Sequence, residues 1–143
     1  MAFKFKLAAV LKKYEHEEKQ AKERLAGHQQ TKFELEERNR IIEEQIQKTL
    51  HTKRELNPIY DELRKNFISN SRAQILFIIE KIKQVDRFIE DAQKELQRAR
   101  INTKSMEILK EKHHEAYKKE LAKKEQQTFD EIATMRGGQK TPF

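Results

Sequence analysis

Apolar residues at alternating three- and four-residue spacing dominate the second half of the chain. The pattern occupies ten positions, nine of them apolar: Ile75, Ile78, Ile82, Val85, Ile89, Ala92, Leu96, Ala99, Thr103 and Met106. Residues with this spacing lie along one side of an α-helix and leave water by packing against another helix. The sequence therefore predicts a long helix over residues 71–136 that has a coiled-coil partner.

The first half of the chain carries a weaker pattern with the same spacing. Nine of its fifteen positions are apolar: Leu7, Leu11, Tyr14, Glu18, Ala21, Leu25, His28, Lys32, Leu35, Asn39, Ile42, Ile46, Thr49, Lys53 and Leu56. A heptad pattern with polar interruptions is typical of a coiled-coil strand. It predicts a helix over residues 4–56.

The connection between the two patterns contains a helix-start signal. Asn57-Pro58 fits an N-cap followed by proline at the first helical position, and it predicts a short helix over residues 58–67. Ser69-Asn70-Ser71 is expected to interrupt the helix, and Ser71 with Gln74 resembles a capping box. An intermolecular parallel coil is the alternative to a chain that folds back on itself.

The predicted fold class is all-α: a long antiparallel two-helix coiled coil with a short helix at the turn. It forms a single coiled-coil domain over residues 1–136, followed by a flexible tail over residues 137–143. In the predicted register Phe3 lies opposite Lys124, so that residues 125–136 extend beyond the start of the chain.

Composition and motifs argue against an enzyme. Charged residues make up 38% of the chain, and it has no cysteine for a thiolate site or a disulfide. It has neither a glycine-rich phosphate loop nor an HExxH motif. His113 and His114 are adjacent, and adjacent helical side chains point about 100° apart, away from a common metal ion. We therefore expect a non-enzymatic protein with no cofactor and no metal site.

The net charge of +7 raises the question of a nucleic-acid or membrane-surface partner. Basic and acidic residues alternate along the whole chain, as on a solvated coiled-coil surface. We therefore expect no nucleic-acid partner, although a basic helical nucleic-acid or membrane protein remains a rival class. No apolar run approaches the length of a membrane span or a secretion signal, which favours a cytoplasmic protein.

Two groups of apolar residues fall outside the predicted seam. Leu76, Phe77 and Ile79 are either covered by the short helix, through Ile59, Leu63, Phe67 and Ile68, or exposed for a partner. Near the end of the chain Phe129, Ile132, Ala133 and Arg136 share one helical face, which either frays or binds a partner.

The two ends of the chain resemble a known family. Phe3-x-Phe5-x-Leu7-x-x-x-Leu11, followed by Glu17 and Ala21, is similar to the start of the bacterial flagellar export protein FliJ family. Glu125-Gln126-x-x-x-Asp130-Glu131-Ile132-Ala133-x-x-Arg136 is similar to that family's end. The total length and the two-helix layout match as well.

The resemblance implies a non-enzymatic component of flagellar type III protein export, in the form of a stalk-like coiled coil. Its implied partners are the export ATPase ring, the cytoplasmic domain of the export gate, and substrate chaperones. Its implied location is cytoplasmic, at the inner face of the cell membrane at the flagellar base, with membrane association through partners only. A generic coiled-coil scaffold or chaperone-like binding module is the alternative.

The resemblance also assigns residues to these contacts. The ATPase-ring contact maps to Phe3, Phe5, Leu7, Phe129, Asp130, Glu131, Ile132 and Arg136. The export-gate contact maps to Ile75, Ile79, Ile82 and Asp86.

Overall fold

The computed structural model describes residues 2–52 and 57–139. Over these ranges the chain forms two α-helices and no strand: α1 is Ala8–His51 and α2 is Pro58–Gln139. The two long helices pack against each other, which confirms the predicted all-α helical hairpin. The predicted helix positions Lys53 and Leu56, and the tail residues 140–143, lie outside the described residues.

The start of α2 is the predicted cap. The side-chain oxygen of Asn57 accepts a hydrogen bond from the backbone N–H of Ile59 at 3.1 Å. The Asn57 carbonyl accepts the first helical bond, from the N–H of Asp61 at 3.2 Å. Asn57 thereby satisfies a backbone donor that the first turn leaves unpaired, and Pro58 has no N–H to lose at this position.

The predicted short helix and the break after it are wrong, because α2 is continuous from Pro58. The three-and-four spacing extends back from Ile75 through Ser71, Ile68 and Arg64, all of which are buried or half-buried. Ser71 is one of the buried residues, so its small side chain belongs to the seam rather than to a capping box. Serine and asparagine are weak helix formers but not helix breakers, and packing against α1 outweighs their propensity.

The predicted pairing of the two ends is also wrong. Phe3 contacts the rings of His114 and Tyr117 instead of lying opposite Lys124. Near the hairpin, Arg64 donates a hydrogen bond to the carbonyl of Leu50 at 2.8 Å and so satisfies an orphan acceptor at the end of α1. Since residues 58–67 belong to α2, the helix pair closes about two turns earlier in α2 than the prediction assumed.

The chain divides into two compact units, Glu18–Arg98 and Met1–Glu17 with Ala99–Phe143. In the first unit, one core cluster consists of Ile42, Ile46 and Ile78, with half-buried Leu35, Ile68, Ile75 and Ile82 packed around them. Ala21, Val85, Ala92 and Leu96 are also buried in this unit. Two ion pairs join the helices beside this seam, Arg24–Glu95 at 3.1 Å and Lys32–Asp86 at 2.7 Å. Facing charges of opposite sign help to fix the antiparallel register.

The second unit contains the N-terminal residues, packed on the distal part of α2. Phe5, Leu11, Ala99 and Thr103 are its buried residues. All ten predicted seam positions from Ile75 to Met106 are buried or half-buried, which confirms that part of the prediction. At the other end, helix α2 continues through Gly137 to Gln139, so the predicted tail begins later than expected.

Candidate functional site

The N-terminal arm, residues 2–7, precedes α1 and is not helical, although a helix from residue 4 was predicted. Its side chains alternate: Phe3 is half-buried and Phe5 is buried, whereas Lys4 and Lys6 are exposed. Lys6 and Leu7 form a turn, in which the Phe5 carbonyl accepts a hydrogen bond from the N–H of Ala8 at 3.2 Å. Both phenylalanines thus contact α2, while both lysines face water.

Two histidines of α2 contact the aromatic rings of the arm. The ring of Phe5 meets His113 edge-on, with centroids 5.5 Å apart, and that of Phe3 meets His114 at 4.8 Å. Aromatic pairs of this geometry stabilise packing beyond the apolar area they bury. The adjacent histidines therefore hold the arm by ring contacts, a role that the sequence pattern did not suggest.

Beyond Tyr117, α2 is exposed to solvent on all sides and carries an apolar stripe along one side. Every residue from 118 to 137 is exposed. The large apolar members are Leu121, Phe129, Ile132 and Met135, which lie within one side of the helix by their spacing. We call residues 118–137 the distal segment; its apolar side faces water in the described structure, as a surface that awaits a partner would.

The polar residues predicted beside this stripe are also exposed. Asp130 accepts a side-chain hydrogen bond from Gln126 at 3.2 Å, and its carbonyl accepts one from the Thr134 hydroxyl at 2.8 Å. Glu131 and Arg136 are exposed on the same segment. These contacts within the helix leave carboxylate and guanidinium groups at its surface.

The eight predicted ring-contact residues therefore fall into two groups rather than one. Phe3 and Phe5 pack on His113–Tyr117. Leu7 directly precedes α1, and its carbonyl accepts the first helical hydrogen bond, from the N–H of Leu11 at 3.0 Å. The other five, Phe129, Asp130, Glu131, Ile132 and Arg136, begin twelve residues beyond Tyr117, or about 18 Å along a helix. The arm thus supports α2 before the distal segment starts, and does not cover it.

The predicted gate residues occupy two different environments. Ile75 and Ile82 pack around the Ile42–Ile46–Ile78 core, so neither offers a surface to a partner. Ile79 is exposed beside exposed Leu76 and Phe77. The short helix does not cover these three residues, because residues 58–67 continue into the same helix.

Asp86 is tied to α1 by its ion pair with Lys32. The hydrogen bond and the charge of Asp86 raise the pKa of Lys32 above its ordinary value of 10.5. On α1, the Arg40 side chain donates hydrogen bonds to the Glu37 carboxylate. This contact lowers the pKa of Glu37 and raises the pKa of Arg40. These are solvent-exposed pairs, and they indicate a charged coiled-coil surface rather than an acid–base centre.

Within residues 2–52 and 57–139, no three histidine or acidic side chains come together as a metal site would require. No described helix has a stretch apolar and long enough to cross a membrane.

The sequence interpretation missed one further surface, at the start of α2. The sequence interpretation left open whether Ile59, Leu63 and Phe67 cover Leu76, Phe77 and Ile79, and it gave Tyr60 no role. The structure leaves Ile59, Tyr60, Leu63 and Phe67 exposed. Their spacing was visible in the sequence, but the assumed break at residues 69–71 separated them from Phe77 on the same side of the helix.

Fold and surface together define a helical-hairpin protein whose helix α2 carries exposed apolar side chains. The chain belongs to the FliJ family: the family model described as Flagellar FliJ protein matches residues 3–141 of the 143. This membership confirms the resemblance of the two ends and makes the chain a component of flagellar protein export. No curated protein and no solved structure matches the chain.

Proposed function

We propose that the chain is the stalk-like, non-enzymatic subunit of the flagellar type III export apparatus and that it binds the export ATPase ring through its distal segment. Family membership over residues 3–141 carries the assignment to flagellar export. The exposed apolar stripe of Leu121, Phe129, Ile132 and Met135 supports the choice of contact, since a solvent-facing apolar stripe on a helix is typical of a docking surface.

The charged residues of the distal segment give this contact a register. Asp130, Glu131 and Arg136 flank the stripe and are exposed. Charges at the rim of an apolar contact select orientation and partner more than they add affinity. In this proposal the N-terminal arm holds α2 through Phe3 and Phe5 and contributes to the ring contact indirectly, by fixing the helix that carries the stripe.

A second contact, with the cytoplasmic domain of the export gate, is assigned to the exposed side of α2 at Leu76 and Ile79. Of the four residues that the family resemblance suggested, Ile75 and Ile82 belong to the core and Asp86 is paired with Lys32. Ile79 and its neighbour Leu76 are the exposed apolar residues there. Through these two contacts the chain couples the ATPase to the gate, and it also receives substrate chaperones. It works in the cytoplasm at the flagellar base.

The test is stimulation of the flagellar export ATPase by the purified chain. In the double variant Phe129→Asp and Ile132→Asp, both side chains are exposed, at 68% and 43%, so helicity should be unchanged while stimulation is lost. The matched control is Phe33→Asp with Ile41→Asp, exposed at 58% and 46% on α1, which should stimulate like the unmodified chain. Full stimulation of the ATPase by the distal variant would place the ring contact elsewhere. Equal loss of stimulation in both variants would show that the added negative charge, and not the position of the substitutions, causes the loss.

A further inference from the structure

One side of α2 carries no charged residue over its first five turns. Its large members are Ile59, Tyr60, Leu63, Phe67 and Phe77, all exposed. The remaining positions, Asn66, Asn70, Ala73 and Gln74, are exposed as well. We call these nine residues the uncharged face. In a chain with 38% charged residues, an exposed uncharged face of this length, with five large apolar or aromatic side chains, indicates a surface that is covered by a protein partner.

The uncharged face has the spacing of a second coiled-coil seam. Ile59, Leu63, Asn66, Asn70, Ala73 and Phe77 follow one another at alternating four- and three-residue steps. The first seam of the same stretch, with Ile68, Ser71, Ile75 and Ile78, already packs on α1. A helix with two such seams has room for a second helical neighbour.

Six of the nine residues of the uncharged face lie symmetrically about residue 68, and these six form its seam. Antiparallel pairing of two identical faces about a two-fold axis brings Ile59 opposite Phe77 and Leu63 opposite Ala73. In the middle, Asn66 meets Asn70, so that amide donors meet amide acceptors. We propose that two copies of this chain associate, antiparallel, through the uncharged face of α2.

Electrostatics supports a second copy as the occupant. Two like faces normally bring like charges together, and the nine residues of this face carry no charge. The cation beside them is Lys81 at one end of the face, whose ammonium lies over the ring of Phe77 at 4.7 Å. Glu62 borders the face, and in the proposed pairing it lies opposite Gln74 of the second copy, whose amide can donate to the carboxylate. Asn–Asn pairing at the centre of a helix pair also specifies register, at some cost in stability.

The association is expected to be weak and to strengthen with salt. The face is about 27 Å long, and one pair of helix faces of that length buries less than the roughly 800 Å² per partner of a stable complex. We expect a dissociation constant on the order of 100 µM. Each chain carries a net charge of +7, so salt screens the repulsion between copies and promotes pairing through an uncharged face.

Sedimentation equilibrium of the full chain over a range of protein and salt concentrations tests the proposal. Leu63→Glu should weaken dimerisation at least about tenfold, because it buries a charge at the contact. Phe33→Glu is the control, since Phe33 on α1 has the same exposed fraction as Leu63, 58%, and lies off the face. A chain that stays monomeric at about ten times the expected dissociation constant, dimers that dissociate as salt rises, or equal effects of the two variants would overturn the proposal.

Disulfide trapping tests the antiparallel register separately, because the chain has no native cysteine. A mixture of Leu63→Cys and Ala73→Cys should cross-link across the two chains, since these positions are paired and a disulfide needs Cα atoms within about 7 Å. Each variant alone should cross-link poorly, because identical positions are then about 15 Å apart along the axis. Faster cross-linking of either single variant than of the mixture would overturn the antiparallel pairing.

Discussion

Ile41 and Ile42 are adjacent identical residues that point about 100° apart around α1, and they offer a matched test of where the core lies. Ile42 is 7% exposed and belongs to the core with Ile46 and Ile78, whereas Ile41 is 46% exposed. Both substitutions to alanine remove three carbon atoms and gain the same helix propensity. The difference between them therefore reports burial alone.

The expected magnitudes follow from those exposures. Three buried carbon atoms correspond to about 2.4 kcal/mol of transfer free energy at about 0.8 kcal/mol each. The cavity that remains raises the cost of Ile42→Ala into the range of about 2–5 kcal/mol. For Ile41→Ala about half of the transfer term applies, and a helix-propensity gain of about 0.4 kcal/mol offsets part of it, leaving less than about 1 kcal/mol.

Urea unfolding followed by far-ultraviolet circular dichroism measures both variants. Ile42→Ala should lower the midpoint clearly more than Ile41→Ala, with an unchanged slope. If the two variants lose equal stability, or if Ile41→Ala loses more, α1 is rotated relative to the seam described here.

Three further predictions concern the same helices. Asn39→Leu should stabilise the chain by about 1–2 kcal/mol in urea unfolding, because Asn39 Oδ1 is buried without a hydrogen-bond partner in the described structure; a loss of stability would show that this oxygen is satisfied. Since Asp86 raises the pKa of Lys32, the pair stabilises the fold at neutral pH and stops doing so as the pH rises through that raised value; Asp86→Asn should remove this alkaline step in a stability–pH profile, and an unchanged step would refute the assignment. In hydrogen exchange of the free chain, amides of residues 78–96 should exchange slowly and those of residues 118–137 rapidly, whereas uniform protection would contradict an unsupported distal segment.

The seam of α2 could be predicted from sequence because its heptad spacing is nearly unbroken between Ile75 and Met106. The cap at Asn57 could be predicted because Asn-Pro combines a side-chain acceptor with a fixed backbone angle. Both are local signals, which do not depend on how the helices pair.

The break at Ser69-Asn70-Ser71 was predicted from the low helix propensity of serine and asparagine. It does not occur, because Ser71 is buried in the seam and packing against α1 stabilises the helix there. That error moved the turn and with it the register, so Phe3 was placed opposite Lys124 instead of beside His114 and Tyr117. An antiparallel register depends on where the hairpin closes, and no single residue of either helix encodes that point. The uncharged face was missed for the same reason, because the assumed break divided it.

The central claim is that the distal segment of α2 binds the ATPase ring. Hydrogen exchange of the chain, alone and bound to the flagellar export ATPase, tests it most directly. Binding should slow exchange over residues 118–137, where the free helix has no partner in the described structure, and should leave residues 78–96 unchanged because they are already protected. New protection confined to residues 58–98, with residues 118–137 still exchanging rapidly in the complex, would contradict the claim.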